Sequence, residues 1–198
     1  MEYLRNFETG KIIKYLILAD LILEASWGLI SPVFAIFILQ KINGGDPLVV
    51  GVASAIYLIL FALIRIPLSI YLDKKPKEED DFLCMFFGFF LSSFIPFGFI
   101  FSKFPWQIYF LQAIYGITMA MAFSGYMAIF TRHIDKGKEA TGWGMRASLI
   151  SLAMGLTAAI GGALVAKFGF NLVFLLVGFF SLISSLLIFV LKKEFLKT

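Results

Sequence analysis

The segment Leu48-Val49-Val50-Gly51-Val52-Ala53-Ser54-Ala55-Ile56-Tyr57-Leu58-Ile59-Leu60-Phe61-Ala62-Leu63-Ile64-Arg65-Ile66-Pro67-Leu68-Ser69-Ile70-Tyr71-Leu72 carries a single charge. Asp73-Lys74-Lys75-Pro76-Lys77-Glu78-Glu79-Asp80-Asp81 follows it with eight charges and a proline. A helix needs about 20 apolar residues to cross hydrocarbon, and no bilayer core accepts a stretch like the second. The first segment therefore reads as a membrane span and the second as a loop outside the membrane.

The rest of the chain repeats this alternation. Of its 198 residues 60% are hydrophobic and 15% charged, and the mean hydropathy is +0.91. A soluble domain is nearer 45–50% apolar and about 25% charged. The apolar excess is spread over the whole length, which excludes a soluble globular domain, a disordered chain and a disulfide scaffold. Six spans are expected at Tyr15–Leu39, Leu48–Leu72, Phe82–Ser102, Trp106–Thr131, Ala140–Ala166 and Phe170–Leu191. They form one six-helix transmembrane domain over residues 1–198, an all-α membrane protein. The turn run Asn43-Gly44-Gly45-Asp46-Pro47, the tight connection at Lys103-Phe104-Pro105, the charged loop Arg132–Glu139 and the turn Lys167-Phe168-Gly169 separate them. The polar start and the length of the first apolar run argue against a signal peptide.

Lys and Arg are divided unevenly. Arg5, Lys11, Lys14, Lys74, Lys75, Lys77, Arg132, Lys136, Lys138, Lys192, Lys193 and Lys197 lie on one side, against Lys41, Lys103 and Lys167 on the other. This bias predicts an integral, multi-pass protein with both termini cytoplasmic. It also explains the net charge of +4 without nucleic acid. Spans 3 and 6, which carry no charge and are rich in Phe, are expected to face lipid.

Shifted by 93 residues, the chain overlays part of itself. Ser31-Pro32-Val33-Phe34-Ala35-Ile36-Phe37 falls on Ser124-Gly125-Tyr126-Met127-Ala128-Ile129-Phe130, Gly44 on Gly137, Gly51 on Gly144 and Phe86-Phe87 on Phe179-Phe180. Spans 1–3 then correspond to spans 4–6. Three helices per copy invert the second copy, and 3+3 inverted repeats are found in secondary transporters.

Ser69-Ile70-Tyr71-Leu72-Asp73-Lys74-Lys75-Pro76-Lys77 resembles the loop signature G-x-x-x-D-[RK]-x-G-[RK]-[RK] of the major facilitator superfamily. Ser69 and Pro76 replace its two glycines. Gly155-Leu156-Thr157-Ala158-Ala159-Ile160-Gly161-Gly162 with Phe168-Gly169-Phe170 is similar to that family's Gly-rich fifth helix. The Gly-Pro pair of its drug antiporters is absent at Thr157-Ala158. Leu111-Gln112-Ala113-Ile114-Tyr115-Gly116 resembles a Gln-Gly stretch of its fourth helix, without the Arg that the family carries early in that helix. The resemblance covers the chain as half of a twelve-helix transporter.

The resemblance implies a secondary active transporter of a small solute working by alternating access. Half a bundle leaves its cavity face open, so a parallel homodimer with its two-fold axis along the membrane normal is expected. Span 5 offers small residues four apart, Gly155/Ala159 and Ala158/Gly162, for that interface. The resemblance also implies that Asp73, with Lys74 and Lys77, locks the cytoplasmic gate. Arg132 at the end of span 4 would supply the base, and the start of the partner copy's span 5 a helix N-terminus. Ser26, Trp27, Tyr57, Gln112, Tyr115 and Thr118 are candidate lining residues; spans 1 and 4, which line the cavity in that family, hold most of them.

Asp20, Glu24, Arg65 and Arg146 fall inside spans. Asp20 and Glu24, four apart, share a helical face. Ionisable groups at such depth mark transport pathways or structural ion pairs, and both readings stay open. Glu24 lies deepest and is read as the proton-titrating group, with Arg65 or Arg146 competing for it or binding an anionic solute group. Pro32, Pro67 and Pro96 are candidate kinks.

Enzymatic chemistry finds no support. His133 is the one His and Cys84 the one Cys, with no metal-ligand spacing. No G-x-S-x-G, P-loop or dinucleotide fingerprint occurs. No cofactor or metal is expected; lipid and a small-molecule solute are the expected partners. The alternatives are a non-transporting scaffold or assembly subunit that retains the fold, and one half of a heterodimeric transporter.

Overall fold

The computed structural model describes residues 11–75, 78–190 and 192. Among them the chain is helical, with no strand, and six helical crossings are long and apolar enough to span a membrane. Span 1 is built from α1 (Lys11–Gly28), a 3-10 turn (Ser31–Val33) and α2 (Phe34–Lys41). Span 2 is α3 (Pro47–Asp73). Span 3 is α4 (Glu78–Ser92) and α5 (Ile95–Phe101). Spans 4, 5 and 6 are α6 (Pro105–His133), α7 (Glu139–Phe168) and α8 (Phe170–Val190).

Two of the three candidate kinks are full interruptions. A proline has no N–H to offer the carbonyl four residues back, and its ring crowds that carbonyl. Four residues before Pro32 is Gly28, where α1 ends, and four before Pro96 is Ser92, where α4 ends. Leu29 and Ile30 turn instead through bonds to the Ser26 and Trp27 carbonyls, both 3.1 Å. Pro67 lies inside α3, which continues through it. At its start α3 is capped by Asp46, whose Oδ1 accepts from the Val49 N–H at 2.8 Å, with Pro47 in the first turn. Span 3 starts earlier than its apolar run, because Glu78–Asp81 form the first turn of α4, where acidic groups suit the helix dipole.

Span 4 packs against spans 2 and 3, and span 1 against spans 5 and 6. Exchanging 1 with 4, 2 with 5 and 3 with 6 leaves that pattern unchanged. Spans 1 and 5 cross closely: a side-chain carbon on Gly161 would collide with the Leu29 carbonyl, and one on Gly28 with Thr157 and the Met154 backbone. The Gly-rich stretch of span 5 thus has one member that is needed within the chain itself.

The core has two layers. Toward the end that carries the termini, Ile13, Leu16, Leu23, Phe82, Met85, Phe89, Tyr126 and Phe130 pack together. Toward the far end, Phe37, Val49, Ile95, Phe99, Ile108, Phe170 and Phe174 form a second cluster, with Phe37 and Phe174 edge to face at 4.8 Å. Span 1 contributes α1 to the first layer and α2 to the second.

The lipid-facing assignment of spans 3 and 6 is corrected by this packing. In their most apolar stretches 50% and 44% of residues are buried, against 11% in span 2 and 6% in span 5. The Phe-rich stretches of these helices supply packing: Phe82, Phe89, Phe99 and Phe174 are fully enclosed. Spans 2 and 5 lie outermost, with Leu58, Leu63, Ile66, Leu152 and Leu156 exposed.

Candidate functional site

The break in span 1 borders the candidate site. A cavity of about 400 Å³ is lined by Glu24, Trp27, Ile30, Ser31 and Phe34 of span 1 and Ser54, Tyr57 and Leu58 of span 2. Gln112 and Tyr115 of span 4 and Met154 of span 5 complete it. Spans 1 and 4 form its floor and the outlying spans 2 and 5 its flanks. Three aromatic rings stack across it: Trp27 on Tyr115 with centroids 4.1 Å apart, and Tyr115 on Tyr57 at 4.9 Å. Gly116, beside Tyr115, lets span 4 approach the span 2 backbone at Tyr57 and Phe61 and sets that stack. Glu24 is the one charged group on the wall, and among the described residues no base lies within 4 Å of its carboxylate. Gln112 Oε1 and Trp27 Nε1 are buried without hydrogen-bond partners among the described residues.

Four of the six expected lining residues, Trp27, Tyr57, Gln112 and Tyr115, stand on this wall. Ser26 and Thr118 do not. The Ser26 hydroxyl donates to the Leu23 carbonyl at 2.6 Å and lies 3.0 Å from the Ser181 hydroxyl on span 6. The Thr118 hydroxyl donates to the Tyr115 carbonyl of its own helix at 3.1 Å. Both face packed helices, where a hydroxyl needs a local acceptor.

Of the four intramembrane charges, Asp20, Glu24 and Arg146 lie close enough for their fields to act on one another, and Arg65 stands apart. Asp20 is fully buried with Oδ2 2.7 Å from a guanidinium nitrogen of Arg146. That guanidinium also lies over Tyr126 at 4.9 Å and Phe123 at 5.6 Å from the ring centroids. Arg65 reaches the Met127 sulfur and lies over Phe61 at 5.2 Å and Phe123 at 5.9 Å. Among the described residues no carboxylate lies within 4 Å of it. The ring of Phe123 therefore serves both arginines, as the negative face of an aromatic quadrupole does for a cation. Asp20 and Arg146 pair directly, Glu24 lies within the field of Arg146 without touching it, and Arg65 has no carboxylate beside it among the described residues.

At the terminal end, Arg65, Ser69, Leu72, Asp73, Ser124, Met127, Ala128, Thr131 and Arg132 line a second cavity, of about 360 Å³. Asp73 and Arg132 share this wall, but Arg132 bonds Asp81, whose side chain is fully buried at the start of span 3. Beside this pair His133 Nδ1 is 3.6 Å from Glu78 Oε1. Lys74 is exposed just after span 2, and Lys77 lies outside the described residues. Asp81 was legible only as a loop charge. Its signal is the helical face Asp81, Met85, Gly88, Ser92, all buried, on which it is the first member.

The family model of the Major Facilitator Superfamily matches residues 16–197. The chain belongs to the major facilitator superfamily. It is thus an integral, multi-pass membrane protein of a transporter family, and the family assignment points to transport rather than enzymatic chemistry. No curated protein and no solved structure matches it. For a superfamily member, the span 5 residues Gly155, Ala158, Ala159 and Gly162 occupy a telling place. Gly155 and Ala159 are exposed and Ala158 and Gly162 half-buried, and the space beside Gly155 and Gly162 is open. Gly161 between them faces span 1.

Proposed function

We propose that this superfamily member is a half-transporter. It works as a parallel homodimer about a two-fold axis along the membrane normal, and moves a small solute by alternating access with both termini cytoplasmic. The observation that carries this reading is the exposure of spans 2 and 5, which flank the cavity. A second six-helix unit laid against that face closes the cavity and covers both helices. Rotation by a half-turn about an axis in front of the face sets span 2 of one copy against span 5 of the other. The exchange symmetry of the helix packing supports a 3+3 inverted repeat, and the uneven Lys and Arg distribution supports the orientation.

Within this reading the unpaired Glu24 in the cavity takes up the coupling proton, since hydrocarbon disfavours a lone charge. Asp73, free of Arg132, keeps the gate role through the partner's span 5 helix start. The Asp20–Arg146 pair is the structural member of the four charges.

The test has two arms. Native mass spectrometry of the full chain released from lipid nanodiscs is expected to give a dimer; a persistent monomer that still transports overturns the assembly. Solid-supported-membrane recordings of proteoliposomes under a pH gradient, over a solute panel, are expected to show solute-dependent currents. Glu24→Gln removes their pH dependence. Currents unchanged in that variant overturn Glu24 as the coupling group.

A further inference from the structure

We propose that the solute is a small organic ammonium, a protonated primary or secondary amine on an apolar body, held by Glu24 and Gln112 against the Trp27–Tyr115–Tyr57 stack. This rests on the reading of the chain as a solute transporter and adds the chemical class of its cargo.

Charge decides the sign. The cavity wall carries one ionisable carboxylate, Glu24, and no base. Both intramembrane arginines are engaged elsewhere, Arg146 with Asp20 and the faces of Phe123 and Tyr126, Arg65 with Met127, Phe61 and Phe123. An anion placed against Glu24 in so apolar a wall would meet repulsion, and neither arginine lines that wall to receive it. Once Glu24 has released its proton, a neutral solute leaves its charge offset only by the field of Arg146, which is already paired with Asp20. A cation satisfies that carboxylate.

Hydrogen bonding decides the kind of cation. Gln112 Oε1 is a buried acceptor without a donor, on the same wall as Glu24. A buried acceptor left unmet is costly, and it asks for an N–H or O–H from the occupant. A primary or secondary ammonium brings two or three N–H groups, enough for Glu24 and Gln112 together. A quaternary ammonium brings none.

The remaining surface decides the body of the molecule. Trp27, Tyr115, Tyr57, Phe34, Ile30, Leu58 and Met154 supply ring faces and edges and aliphatic wall. Aromatic residues favour a cation near their faces and an apolar body beside it. The cavity, at about 400 Å³, is of a size for one small molecule.

Binding is measured by scintillation proximity with tritiated phenethylamine on the full chain in lipid nanodiscs, without any gradient. Saturable binding is expected. It is competed by unlabelled phenethylamine, at least tenfold less well by its trimethylammonium analogue, and not by 3-phenylpropionate, which has the same body with the opposite charge. Glu24→Gln is expected to weaken binding at least tenfold and Gln112→Leu several-fold, each with the wild-type thermal midpoint as a folding check. Glu24→Asp, which keeps the charge and should fold as well, retains binding. Competition by 3-phenylpropionate, absence of saturable amine binding, or full binding in Glu24→Gln overturns the proposal. The trimethylammonium analogue competing as well as phenethylamine overturns the assignment of an N–H donor to Gln112. Solute-dependent currents in proteoliposomes without amine binding overturn the ammonium class and leave transport standing. Amine binding without any current does the reverse.

Discussion

Asp20 on span 1 and Arg146 on span 5 stand 2.7 Å apart in the cytoplasm-proximal half of the proposed orientation, and Asp20 is wholly enclosed. The pair joins two helices that already cross at Gly28 and Gly161. Removing one member leaves a charge buried without its partner, which costs about 3–5 kcal/mol when a buried pair is broken. Asp20→Asn and Arg146→Met are each expected to lower the thermal midpoint in detergent by many degrees. The double variant recovers much of the loss. Losses that simply add would show that the two groups do not act as a pair.

Arg132 separates two acids that the sequence alone confuses. Asp81→Asn removes its bonded partner and is expected to destabilise the fold by about 1–2 kcal/mol, the net value of a charged hydrogen bond with one exposed member. Asp73→Asn is expected to leave the thermal midpoint unchanged and to shift the dimer toward inward-open. Cysteine-labelling accessibility at the two membrane faces reads that shift, and an unchanged pattern counts against the gate role.

The glycines of span 5 differ in what they face. Gly161→Ala pushes a carbon into the Leu29 carbonyl and forces spans 1 and 5 apart, with an expected cost of about 1–3 kcal/mol. Gly155→Leu has open space before it and is expected to leave the thermal midpoint of the isolated chain within about 0.5 kcal/mol of wild type. The same substitution fills the proposed interface and should reduce the dimer fraction in native mass spectrometry at least tenfold. Equal behaviour of the two variants would mean that the stripe is not a contact surface.

The half-turn geometry makes a directional prediction. Leu63 on span 2 and Leu152 on span 5 are both exposed, ten residues before Asp73 and thirteen after Glu139 at the same end of their helices. In a Cys84→Ser background, Leu63→Cys with Leu152→Cys is expected to give a covalent dimer on mild oxidation. Each single variant stays uncrosslinked, because a two-fold axis in front of the face keeps like helices apart. Efficient crosslinking of Leu63→Cys alone would require a different axis.

The helices were legible because hydrocarbon imposes a length and excludes charge, so Asn43–Pro47 and Asp73–Asp81 could only be exits. The breaks at Pro32 and Pro96 were legible as candidate kinks, but the continuity of α3 through Pro67 was not, since a proline alone does not tell whether the helix resumes in register. Trp27, Gln112 and Tyr115 stand on the cavity wall on spans 1 and 4, the helices expected to line it, and Tyr57 stands there on span 2. Ser26 and Thr118 share those helices but point into neighbours, and which way a helix face turns depends on packing partners far away in sequence. The same reason hid the partnership of Asp81 with Arg132 and reversed the expectation for spans 3 and 6. An uncharged Phe-rich helix suits lipid and core equally, and only the neighbours decide.

The interruption at Gly28–Pro32 falls where one core layer gives way to the other. The α1 rod is anchored among Phe82, Met85 and Tyr126, and the α2 rod among Phe99, Phe170 and Phe174. In the proposed alternating-access reading, that boundary is the joint at which one end of the bundle pivots while the other keeps its side-chain contacts. The solute cavity touches both rods, through Glu24 and Trp27 on one and Phe34 on the other. In that reading the occupant is expected to set the angle between them.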